Sequence, residues 1–155
     1  MGLAMLPSLR DDREGLSTQF TVVIPGLQDV VFRECNGMES EVDTLSFSSG
    51  GNLRAPRTAR GQHHVHRISF SHGSASSGAG GKSLFDWYLD VCDSNKPLTK
   101  KTLSIVVTSE AGDLAEWRIL GAWPCRWVAP IIGSGPNQLT IEHVSFAHEG
   151  IERKK

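Results

Sequence analysis

The chain has 155 residues and a formal net charge of −1, with 39% hydrophobic and 21% charged residues. That length suits a single domain able to bury a core without cross-links. The near-neutral balance excludes recruitment to nucleic acid or an acidic membrane by bulk charge.

No apolar run approaches the length of a membrane span, so no membrane anchor is expected. The opening Met-Gly-Leu-Ala-Met-Leu-Pro is too short for a signal-peptide core, and Leu6 stands where myristoylation requires Ser or Thr. Residues 1–16 read as a flexible arm and residues 17–155 as one domain. Cys35, Cys92 and Cys125 form no CxxC pair, which predicts reduced, buried thiols in a reducing cytoplasm.

The first predicted strand is Thr18–Ile24, with Phe20, Val22 and Ile24 on one face, ended by the Pro25-Gly26 turn. A second covers Val30–Cys35 and stops at Asn36-Gly37, and a third covers Val42–Ser48 with Leu45 and Phe47 in phase. Residues 49–61 read as a long loop studded by Arg54, Arg57 and Arg60, a length that is uncommon without a role. His63–Ser71 returns to strand with Ile68 and Phe70 inward, followed by a Gly/Ser-rich loop over Ser71–Lys82.

Ser83–Ser94 is the one predicted helix. Leu84, Trp87, Tyr88 and Val91 recur at helical spacing as its packing face, while Asp86, Asp90 and Asp93 take the solvent stripe. Ser83 and Asp86 fit a capping box, and Asn95-Lys96-Pro97 stops the helix. Phe85, Leu89 and Cys92 widen the apolar face beyond what one sheet needs.

Thr102–Ser109 and Leu114–Leu120 form a predicted hairpin, with Leu103, Ile105 and Val107 sharing a face in one arm and Trp117 and Ile119 in the other. Pro124 marks a strand start or an edge, and Arg126–Ala129 pairs before Pro130. In the last strand, Gln138–His148, the apolar phase slips, which predicts a bulge near Glu142-His143. The expected architecture is mainly β: an antiparallel sandwich or barrel of seven to nine strands flanked by one helix. Its sheet edges need covering, closure or a partner chain.

Several chemical motifs fail on inspection. Ser76–Ser83 is P-loop-like, but Ser76 replaces the first glycine and the chain lacks alternating βα units. His64 and His66 share a strand face, yet spacing names no third or fourth metal ligand. His148-Glu149 opens like a zinc-protease motif, but Glu152 stands where the second histidine belongs. No Gly-x-Ser-x-Gly elbow is present. No catalytic residue, metal site or cofactor is expected.

One ordered set of residues runs from about position 18 to 153: Phe20-Thr-Val-Val-Ile-Pro-Gly-Leu27, Phe32-Arg-Glu-Cys-Asn-Gly37, Gly50-Gly-Asn52, Gly61, Gly73, Trp87, Trp117, Ala122-Trp-Pro124, Ile141-Glu142 and Ala147-His-Glu-Gly-Ile-Glu-Arg153. This set resembles the tail tube proteins of contractile phages and the inner tube proteins of extracellular contractile injection systems. Ser71-His72 departs from the family's basic pair, and Ser74–Gly81 looks like extra length.

The resemblance implies a non-enzymatic structural subunit whose homo-hexameric rings stack into a hollow tube. The tube is driven through a target envelope by sheath contraction. Implied partners are further copies of the chain, the sheath protein, baseplate or spike proteins, tube-terminating proteins and lumen cargo. Specific nucleic-acid recognition is not implied. Implied localisation is assembly in the cytoplasm as part of a phage-tail-like particle, released or anchored.

By the resemblance, residues 39–61 contact the adjacent subunit and the next ring. Glu39, Glu41, Asn52, Arg54, Arg57 and Arg60 are the expected interface residues, their guanidinium groups facing carboxylates across the contact. The alternatives, in order, are a tube-initiating ring joining spike to tube, a secreted ring of the type VI kind, and a nucleotide- or metal-binding protein.

Overall fold

A computed structural model describes residues 19–27, 30–48, 50–51, 56–75, 79–109, 112–129 and 141–155. These contain ten strands and one helix, in the order β1 Gln19–Val23, β2 Val30–Val31, β3 Glu34–Asn36, β4 Ser40–Phe47, β5 Arg57–Val65, β6 Ile68–Ala75, α1 Ala79–Cys92, β7 Lys101–Ser109, β8 Gly112–Val128, β9 Ile141–Ala147 and β10 Gly150–Arg153. The expected arm at residues 1–16 lies outside the described residues.

Every strand pair is antiparallel. β10, β8, β7, β1, β2, β6 and β3 neighbour one another in that order, and β9 bridges β6 and β8. β8 changes partner along its 17 residues: Gly112–Ala122 pairs with β7, and Trp123–Val128 pairs with β9. At the other corner β1 meets β2 through the single partnership Val22↔Val30. The architecture is therefore two sheets joined at corners, not a barrel with a continuous ladder.

The alternation of apolar residues places the core between the sheets. Val22 from β1 and Ile24 just after it, Ile68 and Phe70 from β6, Leu103 and Ile105 from β7, Ile119 from β8, and Val144 and Phe146 from β9 are all buried. Each such side chain contributes roughly 1.5–3 kcal/mol when fully removed from water. Phe70 sits at the centre, stacked on Phe32 at 5.0 Å and edge-on to Phe146 at 5.8 Å between ring centroids.

Helix α1 closes one flank. Leu84 and Trp87 are buried, and Trp87 packs 5.8 Å from Phe146 and donates its indole N–H to the Thr99 carbonyl at 3.1 Å. The Lys101 ammonium lies 4.8 Å over the same indole, so both ends of that ring are satisfied. The helix starts at Ala79, four residues before the expected Ser83, so Ser83 is an interior residue and not the cap. Gly80 and Gly81 gave no helical signal because glycine disfavours helix interiors.

Other elements also differ from the sequence expectation. The expected strand Val30–Cys35 is β2 and β3 separated by Phe32-Arg33, although both pair with β6 in one unbroken register. The expected Gly/Ser loop at Ser71–Lys82 is shorter, because β6 runs to Ala75 and the helix begins at Ala79. Pro124 is buried within β8, not at a strand start, but on an edge: among the described residues the stretch Trp123–Val128 has β9 as its one strand partner. The irregularity that admits it falls between Pro124 and Arg126, where Cys125 is the extra residue and its thiol donates to the Ser145 carbonyl at 3.4 Å. The bulge thus sits on β8, opposite the strand expected to carry it, and His143 pairs regularly with Ser71.

Between β1, β3, β7 and β8 the apolar interior opens into a cleft of about 240 Å³, lined by Gln19, Phe20, Cys35, Met38, Ile105, Val107 and Trp117. Burial pushes the Cys35 thiol from its ordinary 9.0 up to about 11, as expected where the thiolate would lose water. All three cysteines are free, and Cys92 is exposed, against the expectation of buried thiols.

Candidate assembly surface

The segment expected to mediate assembly is a β-hairpin standing off the sandwich. β4 and β5 pair with each other in a separate two-stranded sheet, and no other described element packs against them beyond isolated contacts. All eight residues of β4 are exposed, and β5 is exposed except for partial cover at Gly61 and Val65. The loop expected over residues 49–61 is correspondingly shorter, because β5 already begins at Arg57.

The root of the hairpin is fixed by backbone geometry. Gly37 has φ of 83°, and a Cβ there would fall 2.2 Å from the Arg67 carbonyl oxygen, so a side chain is excluded. The His66 amide donates to the Glu39 carbonyl at 3.3 Å, which closes the first rung. His148, buried at the end of β9, donates from Nε2 to the His66 carbonyl at 2.6 Å and ties the root to the sandwich.

Cross-strand pairs order the two faces. On one face Glu41 is opposite His64, Leu45 opposite Ala59 and Phe47 opposite Arg57. On the other, Val42 is opposite His63, Thr44 opposite Arg60 and Ser46 opposite Thr58. His64 Nε2 donates to Asp43 at 3.0 Å, His66 lies 3.9 Å from Glu41, and Ser40 shares a 2.6 Å hydrogen bond with His63. These exposed pairs set register and contribute little stability each.

The expected interface residues divide as follows. Glu39 stands at the root, Glu41 beside His66, Arg57 on the Phe47 face and Arg60 on the opposite face. Asn52 and Arg54 lie outside the described residues. Among the described residues neither Arg57 nor Arg60 has a carboxylate partner. Sequence reasoning missed Asp43, His64 and His148 as hairpin-fixing residues. It also missed that apolar side chains are exposed on both faces: Val42 at 46%, Leu45 at 49% and Phe47 at 58%. A run without one wholly polar face was the available signal.

A second uncovered surface lies on α1. Of the expected packing residues, Leu84 and Trp87 are buried while Tyr88 and Val91 are half-buried. Phe85 and Leu89 are exposed, and Phe85 and Tyr88 flank Trp127 at 5.2 and 6.4 Å. A hydrogen bond with the Cys92 thiol raises the Tyr88 hydroxyl above its ordinary range.

The tempting chemical motifs find no supporting geometry. Among the described residues, no group of three or more His, Cys, Asp or Glu side chains could hold a metal ion. Residues 79–83 are the first turn and a half of α1, with no parallel sheet beside them, and 76–78 lie outside the described residues. No helix among the described residues is long and apolar enough to cross a membrane.

The described residues thus form a corner-joined sandwich with a flanking helix, carrying a hairpin exposed on both faces. The chain belongs to the T4-like virus tail tube protein gp19 family, whose model matches residues 16–152. It is a structural tube subunit, part of a phage-tail-like particle.

Solved structures share the fold. The anti-feeding prophage cap (AFP tube terminating cap) is 20% identical with a TM-score of 0.70, covering 88% of this chain and 87% of that one. A chain of the PVC sheath–tube complex in the extended state, from an extracellular contractile injection system, is 20% identical with a TM-score of 0.70, covering 88% of each. Hcp1 from Flavobacterium johnsoniae is 13% identical with a TM-score of 0.54, covering 88% and 94% respectively. Comparison with curated protein sequences finds no match.

Proposed function

We propose that six copies of the chain close into a ring and that the rings stack into a hollow tube within a contractile sheath. The hairpin β4–β5 is the contact that joins each subunit to its neighbours. The observation that supports this reading is how little the other described residues cover the hairpin, with Val42, Leu45 and Phe47 exposed on its two faces. A head-to-tail contact that closes gives a ring, and one that does not close gives a filament.

Glu39, Glu41, Asn52, Arg54, Arg57 and Arg60 form the polar part of that contact, with the guanidinium groups meeting carboxylates of the next subunit. The packing face Leu84, Trp87, Tyr88 and Val91 holds α1 to its own sandwich and leaves Phe85 and Leu89 for a neighbour. The membership of a similar fold in a sheath–tube complex and in a tube cap supports partners of those kinds: sheath, terminating cap, and a baseplate or spike at the other end. Assembly takes place in the cytoplasm, before the particle is released or anchored, and the lumen is free for cargo. The task is mechanical, and the chain performs no catalysis.

Electron microscopy of the intact chain beside a Val42→Ser, Leu45→Ser, Phe47→Ser variant tests the role of the hairpin. Tubes from the former and dispersed subunits from the latter are expected. Tubes from both would remove the hairpin from the contact.

A further inference from the structure

The sandwich is open at one corner. β1 pairs with β7 along its whole length but meets β2 only at Val22↔Val30, while β3 stays with β6. Among the described residues Gln19–Thr21 therefore has no strand on its second side, and the apolar cleft opens beside it. We propose that this cleft is a socket for a second copy of the chain, filled by Phe47 of that copy's hairpin with Leu45 behind it. The proposal rests on the reading that the hairpin joins neighbouring subunits, and it names the surface that receives the hairpin.

The plug has the chemistry the socket wants. At 58% exposure, Phe47 is the most exposed large apolar side chain among the described residues, and Leu45 shares its face. Phe85 is also exposed, but it packs against Tyr88 and Trp127, whereas Phe47 has no ring beside it among the described residues. The socket presents Phe20, Cys35, Met38, Val107 and Trp117, with Gln19 as a polar group among them. Two aromatic rings and a thioether favour an inserted phenyl ring beyond the area it buries. The volume of about 240 Å³ is smaller than a typical small-molecule site of about 300–1,000 Å³ and suits inserted side chains.

Charge matches around the contact. Arg57 stands opposite Phe47 and has no carboxylate partner among the described residues. Beside the socket, Glu34 precedes Cys35 and Glu39 follows Met38; both are exposed, and neither has a cation partner among the described residues. A cation next to the plug and carboxylates next to the socket favour this docking over one between like surfaces.

The fold makes the occupant another copy. Met38 stands at the hairpin root and Phe47 at the far end of β4, roughly 25–30 Å of extended strand away. A subunit's own Phe47 is thus held one strand length from its own socket. The outer end of one hairpin on the root of the next is a head-to-tail contact, the kind that repeats with constant polarity.

Cys35 lines the socket and reports on it. In a full-length Cys92→Ser, Cys125→Ser parent it is the one remaining thiol. Its labelling by a small maleimide should be about tenfold slower, or more, in assembled tubes than in dispersed subunits at the same pH. A second chain carries Cys35→Ala and Phe47→Cys in the same background and is mixed as a minority into parent tubes. A thiol oxidant should then give a disulfide-linked dimer on a non-reducing gel, the two sulfurs coming from different copies. Val42→Cys in place of Phe47→Cys puts the thiol on the opposite face and should give none. Tubes in which Cys35 labels as fast as in dispersed subunits would overturn the proposal and leave the tube reading standing. So would mixed tubes with no more dimer from Phe47→Cys than from Val42→Cys. A parent chain that forms no tubes would overturn the proposal together with the reading it rests on.

Discussion

Gly61 and Asp43 face each other across the hairpin so closely that a Cβ on Gly61 would lie 2.8 Å from the Asp43 Cβ and 3.1 Å from its carbonyl oxygen. The register shift between Val42 and Thr44 falls at this point, and the missing side chain is what lets the bulged strand pass its partner. Gly61→Ala should therefore force the two strands apart at a cost of about 1–3 kcal/mol. Because the hairpin packs on little else, the loss should stay local. Thermal unfolding of the sandwich should shift by less than about 3 °C, while tube formation followed by light scattering should fail.

The two hairpin arginines separate the faces of the proposed contact. Arg57 lies opposite Phe47 and Arg60 opposite Thr44, on opposite sides of the ribbon. Arg57→Glu and Arg60→Glu should each leave the fold and melting temperature unchanged, since neither residue has a carboxylate partner among the described residues. Each should weaken assembly, seen as a raised critical concentration in sedimentation. A variant that assembles normally would place its face of the hairpin away from the contact.

Phe70 tests the core. It touches both Phe32 and Phe146 and is fully buried. Phe70→Ala should cost about 3–5 kcal/mol in urea unfolding, a fall in melting temperature on the order of 10 °C for a chain of this size.

Cys35 gives a pH signature. Its folded-state value of about 11 lies above the ordinary 9.0, so the folded protein holds the thiol proton more tightly than the unfolded chain does. The associated stability is complete below about pH 9 and is lost as pH rises towards about 11. Cys35→Ala should flatten that decline in urea midpoints, relative to the parent protein over the same range. An identical decline in both would assign it to other groups.

Strands with one buried face were legible in the sequence. Phe20, Val22 and Ile24, Leu103 and Ile105, and Ile68 and Phe70 alternate because the sandwich removes every second side chain from water. β5 was not legible: Arg-Thr-Ala-Arg-Gly-Gln-His-His-Val has no buried face and becomes a strand only through its ladder with β4. Arg57 and Arg60 therefore read as loop residues in the sequence. The first turn of α1 was hidden by Gly80 and Gly81, and the continuity of β8 by Pro124, whose missing N–H is accommodated by the bulge at Cys125. In the segment expected to mediate assembly, the hairpin form was not legible in the sequence. The interactions that fix it, Asp43 with His64 and His148 with the His66 carbonyl, link residues 21 and 82 positions apart and have no local signature.

The most direct measurement is electron microscopy of the purified full-length chain at high concentration, with rotational symmetry determined from end-on views. The account predicts six-fold rings that stack into hollow tubes. A monodisperse monomer with its hairpin intact, showing neither rings nor tubes, would contradict it.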